Sequence, residues 1–175
     1  MKVLAFGATN SATSINKLLA QYTASLIEGA SVEVLDLNEF EMPIYSPERE
    51  AQLGSPEQAQ LFYNKIGHAD AIVISFAEHN GSYTAAYKNL FDWTSRIDMQ
   101  VFQNKPMLML ATSPGPGGAN SVLTGAINSA SFFAADVKGS LSVPSFFDNF
   151  DVEKNQVTNP ELQRSLVELV SKLSA

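Results

Sequence analysis

Residues 71–93 read Ala71-Ile72-Val73-Ile74-Ser75-Phe76-Ala77-Glu78-His79-Asn80-Gly81-Ser82-Tyr83-Thr84-Ala85-Ala86-Tyr87-Lys88-Asn89-Leu90-Phe91-Asp92-Trp93. The first six are nearly all apolar, which predicts a strand buried on both faces. Ala77–Ser82 predicts a loop, with Asn80-Gly81 marking a turn. Ala86, Tyr87, Leu90, Phe91 and Thr94 then recur at helical spacing. The stretch is one complete strand–loop–helix unit.

The same unit recurs outward in both directions. Val3–Gly7 predicts a first strand, and Ile15, Leu18, Leu19, Tyr22 and Leu26 a helix behind an N-capping Ser14. Val32, Val34 and Leu37 predict a second strand. Residues 38–55, with Pro43, Pro47 and Gly54, predict a long surface loop. A helix starting near Pro56 carries Leu61, Phe62 and Ile66. Downstream, Pro106–Ala111 predicts a fourth strand. Val122, Leu123, Ala126, Ile127, Ala130 and Phe133 mark a helix, and Val137, Leu141 and Val143 a fifth strand. A loop rich in phenylalanine and aspartate precedes a closing helix with Leu162, Leu166, Leu169 and Leu173. Five alternating units without a linker predict one α/β domain over 1–175. Its expected form is a flavodoxin-like, doubly wound, five-stranded parallel sheet in the order 2-1-3-4-5, helices on both faces. Ligands bind such folds at the carboxyl ends of the strands, at the switch point between strands one and three.

Composition narrows the chemistry. The 175 residues are 45% hydrophobic and carry a net charge of −7. Nucleic acid and anionic membranes are therefore unexpected partners. With no cysteine and only His68 and His79 as imidazoles, disulfides, thiolate catalysis, cysteine-ligated metals and multi-histidine metal sites are excluded. No apolar run approaches a membrane span or a signal peptide, so a cytoplasmic protein is expected.

Three loops sit where the fold places ligands. Ala8–Ser14 offers hydroxyls, an amide, no acid and a helix N-terminus, a combination suited to a terminal phosphate. Both G-x-G-x-x-G and G-x-x-x-x-G-K-[ST] are absent, which favours a terminal monophosphate over a pyrophosphate ligand. Glu78–Tyr83 follows strand three; its lone histidine reads as a surface residue. Lys88, Asp92 and Arg96 read as a solvated or subunit-facing helix face. Ser113-Pro114-Gly115-Pro116-Gly117-Gly118 follows strand four, and its glycines permit close approach to a flat ligand.

Together these stretches resemble the NADPH-dependent FMN reductase family. The resemblance rests on Gly7 with Ser14-Ile15-Asn16-Lys17-Leu18-Leu19-Ala20, on Glu78-His79-Asn80-Gly81-Ser82 with Lys88-Asn89-Leu90-Phe91-Asp92-Trp93, and on Gly115-Pro116-Gly117-Gly118. It implies that Asn10, Ser14, Ile15 and Asn16 hold the FMN phosphate. Glu78, His79, Asn80, Gly81 and Ser82 would run along the isoalloxazine, largely through backbone atoms. Ser113, Gly115, Gly117 and Gly118 would close over its other edge. It also implies a homodimer or homotetramer. The apolar surface of Tyr87, Phe91, Trp93 and Ile97, more than one buried stripe requires, points the same way.

The implied activity is a ping-pong transfer of hydride from NAD(P)H, through bound flavin, to a small-molecule acceptor such as a quinone, azo compound or free flavin. No side-chain catalyst and no metal are needed. Two positions depart from the family pattern. Thr9-Asn10-Ser11 lacks its arginine, which implies weak discrimination between NADH and NADPH. Thr84 replaces its proline, which implies a less fixed start to the third helix. The alternatives are a flavodoxin-type electron carrier and a flavin-binding interaction module. A phospho-acceptor receiver domain is rejected, because the positions of its aspartates read Ala8-Thr9-Asn10 and Phe76-Ala77-Glu78.

Overall fold

The computed structural model describes residues 1–173; the last two residues of the expected 1–175 unit lie outside the described residues. In chain order the elements are β1 (Lys2–Ala8), α1 (Ile15–Ser25), β2 (Ser31–Val34), α2 (Pro47–Leu53), α3 (Glu57–His68), β3 (Ala71–Phe76), β4 (Glu78–His79), β5 (Ser82–Tyr83), α4 (Ala85–Ile97), β6 (Pro106–Thr112), α5 (Asn120–Ala130), β7 (Asp136–Val143), α6 (Phe146–Asn149), β8 (Phe150–Asp151), β9 (Gln156–Val157) and α7 (Pro160–Ser171). Five strands form one parallel sheet in the order β2-β1-β3-β6-β7. That is the 2-1-3-4-5 winding of a flavodoxin-like fold.

The apolar runs end up where their patterns require. Every residue of β3 is buried, and β1 and β6 are buried beyond their first residue. Alternate side chains serve opposite faces. Leu4, Phe6, Ile72, Ile74 and Met109 pack with α3, α4 and α5. Val3, Ala5, Val73, Leu108 and Leu110 pack with α1 and α7. The edge strands β2 and β7 are shorter on burial, alternating exposed and half-buried residues. No helix among the described residues is long and apolar enough to cross a membrane.

Several details differ from the sequence reading. The segment 38–55 is not a plain loop. Leu37–Phe40 form a 3-10 turn, which takes Leu37 out of β2, and Ser46 caps α2 through a bond from the Arg49 N–H, with Pro47 at the first helical position. Leu61 is exposed, and Ala59, Phe62 and Ile66 form the buried stripe of α3. Glu78–Tyr83 is a two-stranded hairpin rather than a loop, and Phe150–Val157 is a second hairpin.

The extra apolar surface of α4 is consumed within the chain. Trp93 is buried, donates from Nε1 to the Pro43 carbonyl at 2.7 Å and meets the Tyr45 ring edge-on at 5.1 Å. Tyr87 is buried, and Phe91 packs on Phe133 at 4.6 Å. The α4 stripe is therefore no argument for a subunit interface. Lys88 pairs with Asp92, and Arg96 with Glu50, as a solvated face does.

Candidate active site

At the carboxyl end of β1 the chain turns through Thr9–Ser14 into α1. Gly7 permits this turn: a Cβ there would lie 2.6 Å from the Lys17 nitrogen and 3.0 Å from its Cα. The first turn of α1 therefore rests directly on the strand backbone. Ser14 is the N-cap, its Oγ accepting from the Lys17 N–H at 3.0 Å. No acid lies in that first turn. The N–H groups of Ala12, Thr13, Ser14, Ile15 and Asn16 meet no acceptor among the described residues. Consecutive free N–H groups at a helix start make a concave anion receptor.

Asn16 is buried, and three of the four hydrogen-bonding positions of its amide are occupied. Its Oδ1 accepts from Ser75 Oγ at 2.7 Å and from the Thr112 N–H at 3.0 Å, and its Nδ2 donates to the Thr112 carbonyl at 3.1 Å. Thr112 Oγ1 continues to the Val143 carbonyl at 2.7 Å. The start of α1 is thereby stapled to the ends of β3, β6 and β7. The backbone N–H of Asn16 and the second hydrogen of Nδ2 are left for a ligand.

The β4–β5 hairpin turns at Asn80 (φ 53°) and Gly81 (φ 75°), the two positive values a type I′ turn demands. Thr84 ends it with two bonds. Its hydroxyl donates to the Ala8 carbonyl at 2.9 Å and accepts from the Tyr87 N–H at 3.2 Å. The threonine thus fixes the start of α4 and ties it to β1, contrary to the looser start implied by the missing proline.

The glycine loop is held by its carbonyls. Those of Ser113 and Gly115 accept from the N–H groups of Phe146 (3.0 Å) and Ser145 (2.9 Å). The Gly118 carbonyl accepts from Ser142 Oγ at 2.8 Å. Gly118 has φ +58°, and a Cβ on it would strike Ser142 Oγ and the Pro144 backbone. The N–H groups of Ser113, Gly115 and Gly117 find no acceptor among the described residues, and Pro114 and Pro116 have none to offer. The loop therefore keeps its donors for a ligand.

These pieces enclose one open cavity of about 260 Å³. Ser14, Ile15, Asn16, Glu78, His79 and Ser113 line it, with Thr9, Ser11, Thr13 and Thr112 between them. Thr112, which the sequence places in the loop after the fourth strand, is the last residue of β6. Asn80, Gly81 and Ser82 form the exposed turn above the cavity, outside its lining. Gly115 and Gly117 have open space where a side chain would be, whereas Gly118 is buried against β7. Asn10 lies apart: it lines a neighbouring groove of about 230 Å³ with Leu37, Phe40, Met42, Ile44 and Ala86. A cavity of about 270 Å³ at the opposite strand ends is lined by Lys2, Glu33, Lys65 and His68. Lys65 there is paired with Glu33, and the α3 C-terminus repels anions.

The one cation beside the α1 start is engaged elsewhere. Lys17 Nζ donates to Asp36 at 2.9 Å. The Lys17 bond, reinforced by the backbone and side-chain amides of Asn38, lowers the Asp36 pKa from 3.8 to about 2. A depressed folded-state value means that this contribution to stability is present above about pH 3.8 and is lost as pH falls toward 2. Asp36→Asn is expected to cost less than about 1 kcal/mol at pH 6, since the pair is partly exposed. The gap to wild type should close near pH 2. Urea melts of both proteins at pH 6, 4 and 2 check this; a gap that widens on acidification refutes it.

Comparison with known proteins agrees with this geometry. The chain is 33% identical over 119 residues to the NAD(P)H-dependent FMN reductase of Pseudomonas aeruginosa, covering 67% of this chain and 63% of that protein. It is 34% identical over 108 residues to the quinone reductase of Escherichia coli, covering 61% and 57%. The chain thus spans about three fifths of the length of these curated relatives. Among solved structures, the flavoenzyme NAD(P)H:(acceptor) oxidoreductase FerB of Paracoccus denitrificans superposes with a TM-score of 0.77 at 23% identity, over 98% of this chain and 94% of that one. Residues 1–148 match the family described as NADPH-dependent FMN reductase, and the chain belongs to that family.

Proposed function

We propose that this protein is an FMN-dependent NAD(P)H oxidoreductase that reduces a small-molecule acceptor, such as a quinone, azo compound or free flavin, by a ping-pong mechanism. The observation that carries the reading is the convergence of the donor-rich start of α1, residues 13–16, and the head of the glycine loop, residues 113–114, on one cavity at the switch point of the sheet. Bound FMN supplies the redox chemistry, accepting hydride from the nicotinamide and returning reducing equivalents to the acceptor. The chain's own residues bind and orient. The amides of residues 12–16, with the Ser14 cap, suit a phosphate. With FMN bound, backbone groups of Glu78, His79, Asn80, Gly81 and Ser82 would hold the ring from the hairpin, and the N–H groups of Ser113, Gly115 and Gly117 would hold it from the glycine loop. Gly118 sets the loop's path. Asn10 lines the neighbouring groove rather than the phosphate receptor, so it is not part of the FMN phosphate site in this reading.

The reading takes residues 1–175 as one cytoplasmic FMN-binding domain. A homodimer or homotetramer is part of it. Phe132, 76% exposed, and the exposed Ile127 near the end of α5 offer the apolar surface for it. The test is to add FMN to purified protein and titrate it anaerobically with NADH and NADPH. Bleaching of the flavin band, followed by recovery on adding a quinone, is expected. Tight FMN binding without bleaching by either nucleotide identifies an electron carrier instead.

A further inference from the structure

The helix α5 that follows the glycine loop lacks a cap of its own. Its N-cap position is Ala119, in left-handed conformation with no side chain to offer, and its first turn contains no acid. From Pro106 to Ala135 the chain has no charged residue at all. The third N–H of a helix is the one an N-cap side chain normally satisfies. In α5 that N–H belongs to Val122, and it donates to Glu78 Oε2 at 2.9 Å. The acceptor comes from the β4–β5 hairpin, 44 residues earlier in the chain.

We propose that Glu78 is a positioning residue: by capping α5 across the cavity, it fixes the glycine loop against the β4–β5 hairpin and so sets the width of the cofactor cleft. On its β7 side the loop is anchored by bonds from Ser142, Ser145 and Phe146. On its β3 side the Glu78 bond is the side-chain tie among the described residues. The same contact explains why an acid is tolerated in an anion-binding cavity. Glu78 is the only carboxylate in the cavity lining, and its charge is directed at the positive end of α5 rather than at the ligand.

This inference rests on the FMN reading for its ligand, but its first readout does not need FMN. In apo-protein, Glu78→Ala is expected to raise amide hydrogen exchange across residues 113–123 about tenfold. Glu78→Gln keeps an acceptor oxygen and is expected to leave exchange within about twofold of wild type. FMN dissociation constants from fluorescence quenching should follow the same order, about tenfold weaker for Glu78→Ala and within about threefold for Glu78→Gln. Unchanged exchange over 113–123 in Glu78→Ala overturns the proposal. So does Glu78→Gln matching Glu78→Ala, which would make charge rather than capping the cause. If Glu78→Ala does not fold, Glu78→Asp takes its place: one methylene shorter, it falls short of the Val122 N–H and is expected to raise exchange over 113–123 as alanine would, and unchanged exchange overturns the proposal. Failure of wild-type protein to bind FMN would refute the functional reading and leave the exchange result standing.

Discussion

Asn16→Leu is expected to lower the unfolding free energy by about 3–5 kcal/mol and to abolish FMN retention. Leucine has the same heavy-atom branching as asparagine with bulkier methyl ends, so the change leaves no room for water. It orphans the Ser75 hydroxyl and both the N–H and the carbonyl of Thr112, all buried. Each buried orphan costs about 1–3 kcal/mol, reduced where a hydroxyl rotates to another partner. Against a total stability of roughly 5–15 kcal/mol, that is a large fraction. Asn16→Asp should fall between the two: it keeps the bonds to Ser75 and the Thr112 N–H but turns a second oxygen on the Thr112 carbonyl. Urea denaturation of the apo-proteins gives the energies. A loss below about 1 kcal/mol for Asn16→Leu would show that the staple is not what holds these strand ends together.

Gly7→Ala is the second large effect expected, at about 2–3 kcal/mol, with FMN affinity reduced at least about tenfold. The added methyl meets main-chain atoms: the Lys17 nitrogen at 2.6 Å, its Cα at 3.0 Å and the Asn16 carbonyl carbon at 3.1 Å. Backbone cannot rotate away as a side chain does, so α1 must slide off β1. That movement shifts the amides of Ile15 and Asn16 and loosens the Asn16 staple. Gly115→Ala and Gly117→Ala provide the contrast. Both positions have open space and no positive φ, so their effect on stability should stay within about 0.5 kcal/mol. Thermal melts and FMN titrations of the three variants test the ranking; equal loss in all three removes the close-packing argument for Gly7.

The central architecture was legible because three strands are buried on both faces and therefore show as uninterrupted apolar runs. Gly7, Asn80-Gly81 and Gly115–Gly118 punctuate them at the ligand-binding ends. What the pattern hid is tertiary. Trp93 and Tyr87 look like surplus apolar surface on a helix, and nothing local reveals that Pro43 and Tyr45 cover the first and that Phe76 and Tyr83 pack on the second. Pro47 signals a loop and a helix start equally well, and Ser46 before it was the discriminating residue. Asn16 and Glu78 are recognisable as site residues from their motif. Their partners, Thr112 and Val122, lie 96 and 44 residues away, and no periodicity connects them. The Asp36–Lys17 pair was invisible for the same reason.

The donors that face the cavity belong to the main chain, and this narrows how the protein can lose or retune its site. Exchanging a side chain cannot delete an N–H group unless proline replaces the residue. Random substitution therefore reaches the site mainly through the few positions that bend and aim the backbone: Gly7, Ser14, Asn16, Glu78 and Gly118. The mutational target for inactivation is correspondingly small. The exposed residues around the cavity rim, Ser11, Thr13 and His79, and Asn10 in the neighbouring groove, are free to drift. A lineage could change its preferred acceptor by altering that rim without rebuilding the receptor beneath it.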